Sequence, residues 1–388
     1  MLNKVLILNG QAVQTLIAAE SLHKSGYEVS VLCDGKDNYG YHSRYAKYRY
    51  VGPDSHNQEE YIKFLLPFIE ERHFDVIIPM DDGAAIVASK FKNEINKISK
   101  VLIPDYEIFL RGYDKNRLMS LCRDKKYPHP LTLDLSKENL LTSEPLRQFP
   151  YPGLIKPNFT SGARGMTMIN TYEELKELYP AIKEKYGECH LQRFIEPGGR
   201  QIELQIFIDK NKEPLYSSVI WKQRYYPVNG GSSCCNVTID SPEIVEICTS
   251  ILKDIQWVGF ADFDLVEDPI KKELLILELN PRIPACIKSV IKSGIDYPTI
   301  IADATLDRPI KKYFYHPGKR LRHLGLDVLW FLKSPDRFRA NPSWFKFFGK
   351  DLYYQDLSCK DFVPFICGTW GNIKKQLNPE FRKSKSGI

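Results

Sequence analysis

The chain has 388 residues, of which 43% are hydrophobic and 26% are charged, and it contains 23 glycines and 25 prolines. This composition is typical of a globular protein and excludes a disordered, collagen-like or low-complexity chain. The length predicts two or three domains, each able to bury a core. No apolar run reaches the roughly 20 residues that cross a bilayer, so we predict no transmembrane segment.

Nine cysteines are scattered along the chain, without paired Cys-x-x-Cys spacing or histidines at metal-ligand spacing. Such cysteines are typical of reduced thiols, so we predict a cytoplasmic protein without a disulfide framework or a zinc site. The net charge is +6, but the segment from Lys311 to the C-terminus has 16 lysines and arginines against 6 acidic residues. A basic region of this kind is typical of proteins that bind an anionic partner, and equally of a solvated surface.

The first 110 residues alternate between strand and helix patterns. Strands are predicted at 4–8, 28–33, 76–79 and 101–103, and helices at 12–25, at 61–72 and after Asp82. This alternation predicts a parallel sheet with helices on both faces, as in a Rossmann-like domain. The first strand is followed by a single glycine, so the glycine fingerprint of a dinucleotide site is missing and we predict no nicotinamide or flavin cofactor.

Polar residues follow two of these strands, at the edge where open α/β sheets bind ligands. The candidates for lining a cleft there are Asn9, Gly10, Asp81 and Asp82. Alternatively, the two aspartates only cap the next helix, and Asp82 is the residue that we expect at the cap.

A second region begins with a helix predicted from Asp114 and Lys115 to about residue 126, after which Pro128 and Pro130 mark a boundary. Beyond this boundary, strands are predicted at 153–157, 166–169, 189–195, 201–208 and 215–224, helices at 171–186 and 242–255, and a hairpin at 259–266 and 273–279. The sequence therefore predicts an α/β domain followed by an α+β domain.

A loop of small residues follows the predicted strand that holds Lys156, and it runs from Thr160 to Met166. Small residues allow a ligand to approach the backbone closely, and successive N–H groups can bind phosphate oxygens. A plain hairpin turn explains the same composition, so the loop alone does not establish a phosphate site.

Acidic residues on the two strands of the hairpin predict a metal site. Asp264 lies on the first strand, and Glu278 and Asn280 share a face of the second. Two carboxylates about 4 Å apart repel by roughly 4 kcal/mol at an effective dielectric near 20, so they require a cation. Oxygen ligands favour Mg²⁺, and Arg282 follows on the same face, where it can contact phosphate. The alternative is a surface hairpin with incidental acids, but a carboxylate inside an apolar strand is costly unless it is paired or metal-bound.

The order of these motifs resembles the ATP-grasp superfamily. In that family an Asp-Lys helix precedes a second lysine, a small-residue loop, an adenine-hinge strand and a carboxylate followed by Glu-x-Asn-Pro-Arg. This chain has the same order over about residues 1–310, in Asp114-Lys115, Lys156, 161–166, Gln192-Arg193-Phe194-Ile195, Glu203, Asp264, Glu278, Asn280 and Arg282. It is most similar to the carbamoyl-phosphate-synthase-like members and to carboxylate–amine ligases of the D-aspartate-ligase type.

The resemblance implies binding of ATP and Mg²⁺, with Mn²⁺ as a substitute for Mg²⁺. Lys115 and Lys156 would contact the nucleotide phosphates, and Glu203 would hold the ribose. The loop that closes over the phosphates would consist of Ser161, Gly162, Ala163, Arg164 and Gly165. The adenine hinge, which in the family commonly begins with Glu, would consist of Gln192, Arg193, Phe194 and Ile195. The metal ligands would be Asp264, Glu278 and Asn280, and Arg282 would be the catalytic residue that stabilises the transferring phosphoryl group.

Candidate substrate-binding residues come from the segment between the hinge and the metal site. Lys222 and Arg224 alternate along a predicted strand, so they share a face that can meet an anionic substrate, although solvated cations on a structural strand explain the pattern equally well. Gly231 and Ser232 follow this strand, and Asp82 of the first region is the remaining candidate.

The resemblance implies a Rossmann-like pre-ATP-grasp domain at 1–112, a two-lobed ATP-grasp domain at 113–312 with lobes at 113–195 and 196–312, and a basic aromatic extension at 313–388. The implied activity is that of an ATP-dependent ligase, which activates a small-molecule carboxylate as an acyl phosphate and joins it to a small-molecule amine. The alternatives are a nucleotide-binding scaffold with a degenerate site and a polyanion-binding protein that acts through its basic C-terminus.

The C-terminal extension mixes aromatic residues with lysines and arginines. We expect it to pack against the ligase body or against a second subunit. In the second case the protein would be a homodimer. Two alternatives are nucleic acid, bound by stacking and phosphate contacts, and anionic lipid, bound by an amphipathic surface. Of these partners, nucleic acid is not expected.

Overall fold

The computed structural model describes residues 2–160, 162, 164–228, 231–358 and 360–377. Its helices and strands, in chain order, are β1 (Lys4–Leu8), α1 (Gln14–Lys24), β2 (Glu28–Cys33), β3 (Tyr48–Val51), α2 (Gln58–Arg72), β4 (Val76–Pro79), α3 (Asp82–Lys90), α4 (Lys92–Ile95), α5 (Tyr106–Tyr113), α6 (Lys115–Lys125), β5 (Thr132–Asp134), α7 (Glu144–Arg147), β6 (Gly153–Pro157), β7 (Thr167–Ile169), α8 (Tyr172–Tyr186), β8 (Cys189–Arg193), β9 (Gln201–Ile208), β10 (Pro214–Tyr226), β11 (Ser232–Ile239), α9 (Pro242–Ile255), β12 (Gly259–Glu267), β13 (Leu274–Asn280), α10 (Lys288–Lys292), α11 (Tyr297–Thr305), β14 (Arg320–Arg322), α12 (Leu324–Lys333), β15 (Leu352–Tyr354) and α13 (Val363–Leu377). Within these described residues, no helix has both the length and the hydropathy needed to cross a membrane.

The chain folds into two compact units. Unit 1 contains the residues up to Phe109 together with Glu203–Asp262 and Asn280–Asn372, whereas unit 2 contains Leu110–Ile202 and Phe263–Leu279. The combination of a parallel sheet with antiparallel sheets confirms the predicted mixture of α/β and α+β architecture.

Unit 1 contains the parallel sheet that the sequence predicts, with the strand order β3-β2-β1-β4. Strands β1 and β2 are apolar and almost entirely buried, as expected for the centre of a parallel sheet. The edge strand β3 was not predicted, because its residues are mostly exposed and show no apolar alternation. The strand predicted at 101–103 is wrong, since the chain forms only one parallel bridge there, between Val76 and Lys100.

The helix after β4 is capped by Asp81, so the prediction of Asp82 as the cap was wrong. The Asp81 carboxylate accepts a hydrogen bond of 2.8 Å from the Ala84 amide, and Asp82 is the first helical residue. Asn9 donates its side-chain amide to Asp81 and to Ser55. Burial raises the pKa of Asp81, although these hydrogen bonds act in the opposite direction. Asn9 and Asp81 therefore have structural partners at the end of the sheet.

Unit 2 contains an antiparallel sheet with the strand order β5-β8-β6-β7. Its register pairs Lys156 of β6 with His190 of β8, and Leu154 with Gln192. Lys156 and Gln192 are therefore diagonal neighbours on one face. The core of this unit consists of buried apolar residues, namely Leu135, Leu146, Phe149, Ile155, Ile169, Leu175, Tyr179, Cys189 and Leu191.

The largest sheet has the strand order β13-β12-β9-β10-β11-β14-β15. Strands β12 and β13 are the hairpin strands that the sequence predicts, and β13 extends one residue further, to Asn280. Strand β11 pairs antiparallel with β10 and was not predicted, because it begins with small polar residues and lacks a clear apolar alternation.

The C-terminal segment from residue 313 to Asn372 is part of unit 1. Strand β14 pairs with β11, and β15 pairs with β14.

Arg224 of β10 and Arg322 of β14 both donate to the Asp327 carboxylate in α12, at 2.7–2.9 Å. None of the three side chains is more than 3% exposed. Their guanidinium groups also donate to the carbonyls of Pro342 and Lys346.

Asp327→Asn should lower the free energy of unfolding by about 3–5 kcal/mol, because it leaves two buried guanidinium groups without a carboxylate. Urea unfolding measures the change. Asp351→Asn is the matched control, since Asp351 pairs with Lys319 at 2.6 Å on the surface and is 47% exposed. The control should leave the stability close to that of the wild type, because exposed ion pairs contribute little. Equal, small effects of the two substitutions would show that the buried cluster does not stabilise the C-terminal segment.

Candidate functional site

Lys156 and Gln192 form a buried hydrogen-bonded pair on the antiparallel sheet of unit 2. Lys156 is 6% exposed and donates from Nζ to Gln192 Oε1 at 2.9 Å. Gln192 donates in turn from Nε2 to Thr132 Oγ1 at 3.1 Å. The neutral amide of Gln192 accepts this hydrogen bond but does not neutralise the positive charge of Lys156. A glutamate at the same position would neutralise it.

Lys115 supplies a second buried ammonium group in unit 2. It is the first residue of α6, whose N-terminus is capped by Asp114 through hydrogen bonds to the amides of Asn116 and Arg117. Its Nζ donates to the Thr160 carbonyl at 2.6 Å and lies 3.4 Å from Glu278 Oε2. The predicted Asp-Lys helix and the predicted metal-site glutamate are thus in direct contact.

The groups around Lys156 shift its pKa in opposite directions. The pKa of Lys156 is lowered to about 8, chiefly by burial and also by Lys115, while Glu278 and Asp264 act in the opposite direction. His190 lies opposite Lys156 in the register, and burial together with the two lysines holds its pKa well below the ordinary value. His190 is therefore neutral, and two ammonium groups and two carboxylates are the charged groups of this site. We call these four residues and Gln192 the lysine cluster.

The lysine cluster has a donor set that suits Mg²⁺ together with a polyphosphate. Among the residues that the structure describes, no three His, Cys, Asp or Glu side chains are grouped so that they could hold a metal ion by themselves. Mg²⁺ is usually bound by one or two carboxylates together with substrate phosphates and water, so the carboxylates of Asp264 and Glu278 fit this ion without a complete protein cage.

Arg282 and Asn280 lie in unit 1 beside an aspartate that the sequence analysis missed. Arg282 Nε lies 3.4 Å from Asp82 Oδ1, and Arg282 Nη1 lies 3.9 Å from Asp262 Oδ2. Asn280 Nδ2 lies 3.5 Å from Asp262 Oδ2, and Gln205 donates to Asp262 Oδ1 at 2.8 Å. The position of Asp262, two residues before Asp264 and therefore on the same face of β12, was the available signal.

Glu203 and Lys222 form an ion pair in unit 1, with 2.7 Å between Glu203 Oε1 and Lys222 Nζ. The Cys286 thiol donates to the same carboxylate, and burial raises its pKa well above the ordinary value, so it stays protonated. The predicted roles of Glu203 at the ribose and of Lys222 at the substrate stay predictions.

Several groups of the predicted adenine hinge form hydrogen bonds or an ion pair with other parts of the protein. The Arg193 amide donates to the Leu131 carbonyl at 2.8 Å, and the Arg193 side chain pairs with Asp268 at 2.7 Å. The Phe194 amide donates to the Pro152 carbonyl at 3.1 Å. Strand β8 ends at Arg193, so Ile195 lies beyond it. Adenine binding by Gln192, Arg193, Phe194 and Ile195 stays a prediction.

The predicted phosphate loop contains two glycines with positive φ, Gly162 at 64° and Gly165 at 73°. Thr160 closes the loop by donating from Oγ1 to the Arg164 carbonyl at 2.8 Å. Ser161 and Ala163, which belong to the same prediction, lie outside the described residues. The glycine conformations require small residues but do not by themselves identify a ligand.

Lys222 and Arg224 do not follow the simple alternation that the sequence analysis assumed, because the register with β11 shifts between them. Arg224 is buried and donates to Asp327, so its side chain has a partner within the protein and is not open to a substrate. Gly231 lies close to the Tyr226 carbonyl, and Ser232 begins β11. Substrate binding by Gly231, Ser232 and Asp82 stays a prediction.

Comparison with known proteins confirms the ATP-grasp resemblance. Residues 113–286 match the family model of the ATP-grasp domain. The chain is 24% identical to D-aspartate ligase of Enterococcus faecium over 281 residues, which cover 66% of this chain and 64% of that protein. It is 26% identical to the C-terminal section of the carbamoyl phosphate synthase large chain of Methanopyrus kandleri, over 56% of this chain and 42% of that protein. The aligned regions therefore cover less than two thirds of these relatives.

A solved structure shows the same fold. The biotin carboxylase domain of 2-oxoglutarate carboxylase from Hydrogenobacter thermophilus, in complex with MgADP and bicarbonate, aligns with a TM-score of 0.67 and 16% identity. The alignment covers 82% of this chain and 73% of that domain. At this identity the comparison establishes the fold.

Lys156→Met should raise the free energy of unfolding of the ligand-free protein by about 1–3 kcal/mol, because it removes a buried ammonium group whose pKa is shifted from 10.5 to about 8. The gain should be largest below pH 8 and should shrink above it, where wild-type Lys156 loses its proton. Thermal and urea unfolding on either side of pH 8 measure it. The exposed Lys185→Met is the control, and loss of stability in Lys156→Met at neutral pH would contradict this account.

Proposed function

We propose that this protein, with its ATP-grasp domain at residues 113–286, is an ATP-dependent ligase that joins a small-molecule carboxylate to a small-molecule amine. The observation that carries the proposal is the lysine cluster, in which two buried ammonium groups lie beside a carboxylate of the predicted metal site. Such a cluster is costly to bury without a ligand, and a polyphosphate with its metal ion compensates the cost.

Lys115 and Lys156 are proposed to hold the phosphates of ATP. Charge-assisted hydrogen bonds from ammonium to phosphate are roughly twice as strong as neutral ones, and burial excludes competing water. Gln192 holds Lys156 in place without neutralising it, since the amide oxygen accepts its hydrogen bond at 2.9 Å. The phosphate loop from 160 to 166 is proposed to cover the phosphates.

Asp264, Glu278 and Asn280 are proposed to hold Mg²⁺, for which Mn²⁺ can substitute. When bound, the metal supplies positive charge that neutralises the phosphate oxygens during phosphoryl transfer. The family resemblance and the chemistry of these oxygen ligands support this assignment. The similarity in fold to a domain described in complex with MgADP is consistent with it.

The proposed reaction has two steps and requires no protein nucleophile. A carboxylate oxygen of the substrate attacks the γ-phosphorus of ATP, the bond to the ADP oxygen breaks, and an acyl phosphate forms. The amine then attacks the acyl carbon, inorganic phosphate leaves with the electron pair of the C–O bond, and the amine loses a proton. Lys115 and Lys156 align the phosphates, which is the main contribution of the protein to phosphoryl transfer.

Arg282 is proposed as the catalytic residue that stabilises charge on the transferring phosphoryl group. Asp82 and Asp262 approach two different nitrogens of its guanidinium group, at 3.4 Å and 3.9 Å. A guanidinium group held from two sides keeps one orientation, which is the preorganisation that electrostatic catalysis requires.

The similarity to D-aspartate ligase supports an amino acid as one of the two substrates. We place the protein in the cytoplasm, where ATP is supplied, and a homodimer remains a prediction. A nucleotide-binding scaffold is the competing function, and an assay of turnover distinguishes the two.

The proposed activity is tested by incubating the purified protein with Mg-ATP and with pools of carboxylates and amines, while ADP and phosphate are measured. Phosphate release that requires both a carboxylate and an amine supports the ligase. Tight nucleotide binding without phosphate release from any pool supports the scaffold, and absence of nucleotide binding contradicts both.

Glu278→Gln should lower turnover by about 100-fold or more while leaving the fold intact, because the substitution removes a charge that holds the metal beside the transferring phosphoryl group. ADP release at saturating Mg-ATP measures the change. Glu273→Gln, an exposed residue directly before β13, is the matched control and should retain wild-type activity. Wild-type activity in Glu278→Gln would remove Glu278 from the metal site.

The affinity for ADP should fall above pH 8, by up to about tenfold per pH unit. The pKa of Lys156 is about 8 in the ligand-free protein, and a neighbouring phosphate raises it, so binding is strongest below pH 8 and takes up a proton near that pH. Calorimetric titrations in buffers of different ionisation enthalpy measure the uptake. Lys156→Met should bind more weakly and show no uptake at this pH, and identical profiles for the two proteins would contradict the assignment.

A further inference from the structure

The C-terminal segment presents an exposed apolar surface that begins on α12. By helical spacing, Asp327 and Trp330 lie on one side of α12 and are buried. The other side carries Val328, Leu329 and Leu332, which are exposed. A helix that is apolar on its solvent-facing side is unusual in a globular protein, where that side is normally charged or polar.

Aromatic residues extend this surface beyond α12. The ring of Phe331 lies 5.5 Å from that of Phe338 and 5.7 Å from that of Phe345, measured between centroids. Phe338 is 70% exposed, Phe345 is 57% exposed and Phe348 is 88% exposed. We call the exposed apolar residues of this segment the outer C-terminal surface, namely Val328, Leu329, Leu332, Phe338, Phe345 and Phe348.

Positive charges accompany the outer C-terminal surface. Residues 328–350 contain five basic residues, namely Lys333, Arg337, Arg339, Lys346 and Lys350. Asp336 is the one acidic residue in this range, so the net charge is 5 − 1 = +4. The Arg337 guanidinium lies 5.3 Å from the centre of the Phe338 ring, so this cation lies beside an apolar group of the surface.

We propose that the outer C-terminal surface docks the protein on an anionic lipid bilayer. Exposed apolar patches with a polar rim mark interaction sites, and lysines and arginines around aromatic and aliphatic residues are typical of surfaces that lie in the interface of a membrane. The rings and aliphatic side chains enter the boundary between headgroups and acyl chains, and the five cations contact lipid phosphates.

The charges and the side-chain types favour lipid over other occupants. A second copy that docks through the same surface brings a charge of +4 against another +4, which opposes association. Single-stranded nucleic acid binds aromatic residues by stacking, but Val328, Leu329 and Leu332 have no ring for a base to stack on. A bilayer accommodates both the aliphatic and the aromatic groups, and its anionic headgroups match the cations.

Co-sedimentation of the purified full chain with vesicles tests the proposal. Vesicles of phosphatidylcholine with a minor share of phosphatidylglycerol should carry most of the protein into the pellet, whereas vesicles of phosphatidylcholine alone should carry little. Binding should weaken as salt is added, because the headgroup charges are screened. The surface is distinct from the lysine cluster, so this result does not depend on the proposed ligase activity.

Two double variants separate the apolar and the charged contributions. Leu332→Ser with Phe348→Ser should lower the partition coefficient by about tenfold or more, because each side chain buries apolar area in the membrane. Lys346→Gln with Lys350→Gln should lower it by roughly 25-fold, at about fivefold for each cation. Leu141→Ser, at an exposed leucine elsewhere, and Lys97→Gln with Lys100→Gln are the matched controls and should bind as the wild type does.

Three results would overturn the proposal. The first is no binding to phosphatidylglycerol vesicles, and the second is equal binding to both vesicle types. The third is a dimer in sedimentation velocity that dissociates in the Leu332→Ser and Phe348→Ser variant, since the surface would then be covered by a second copy. Circular dichroism of each variant verifies folding, which is expected to be retained because Leu332 and Phe348 are exposed.

Discussion

The burial of the Lys156 ammonium group is the constraint on which the candidate site depends. The strand register of the antiparallel sheet places Lys156 beside the neutral amide of Gln192 and opposite His190, which is kept neutral by its own burial. Lys115 adds a second cation, and Glu278 contacts that cation at 3.4 Å. The fold thus holds charged groups at some cost to its own stability, and such a cost is typical of sites that bind a charged ligand.

The buried charges around Asp327 are paired in a different way from those of the lysine cluster. Asp327 accepts hydrogen bonds from both Arg224 and Arg322, and backbone carbonyls accept the remaining guanidinium hydrogen bonds that connect this cluster to the C-terminal segment. The aromatic faces of Trp330 and Phe347 lie 5.2 Å and 4.7 Å from the two guanidinium groups. This cluster has its partners within unit 1 and serves to hold β14 and α12 against the sheet, whereas the lysine cluster has a neutral amide where a compensating acid could stand.

Hydrophobic periodicity and motif order were sufficient to predict much of the architecture. The apolar strands β1, β2 and β4 and the amphipathic helix α9 have strong local patterns, and the Asp114-Lys115 start of α6 is a clear capping signal. The sequence pattern did not predict the strands whose formation depends on pairing with neighbouring strands. Strand β3 is an exposed edge, and β11 is held by its neighbours although it begins with Ser232 and Ser233.

The candidate site was predicted in part for the same reasons. Motif spacing identified Lys115, Lys156 and Glu278, and the structure brings Lys115 into contact with Glu278 and Lys156 into contact with Gln192. Spacing did not reveal that Asp262 lies beside Arg282, because the contact joins β12 to the chain that follows β13. It also gave no sign that Arg224 is buried, since Asp327 is supplied by a helix 103 residues further along the chain.

The most direct measurement of the central claim is a structure of the protein with Mg-ADP. The account predicts phosphate oxygens within about 3 Å of the Nζ atoms of Lys115 and Lys156, and a metal ion bound to the carboxylates of Asp264 and Glu278. A nucleotide bound with its phosphates away from both lysines, or a lysine cluster unchanged at saturating Mg-ADP, would contradict it.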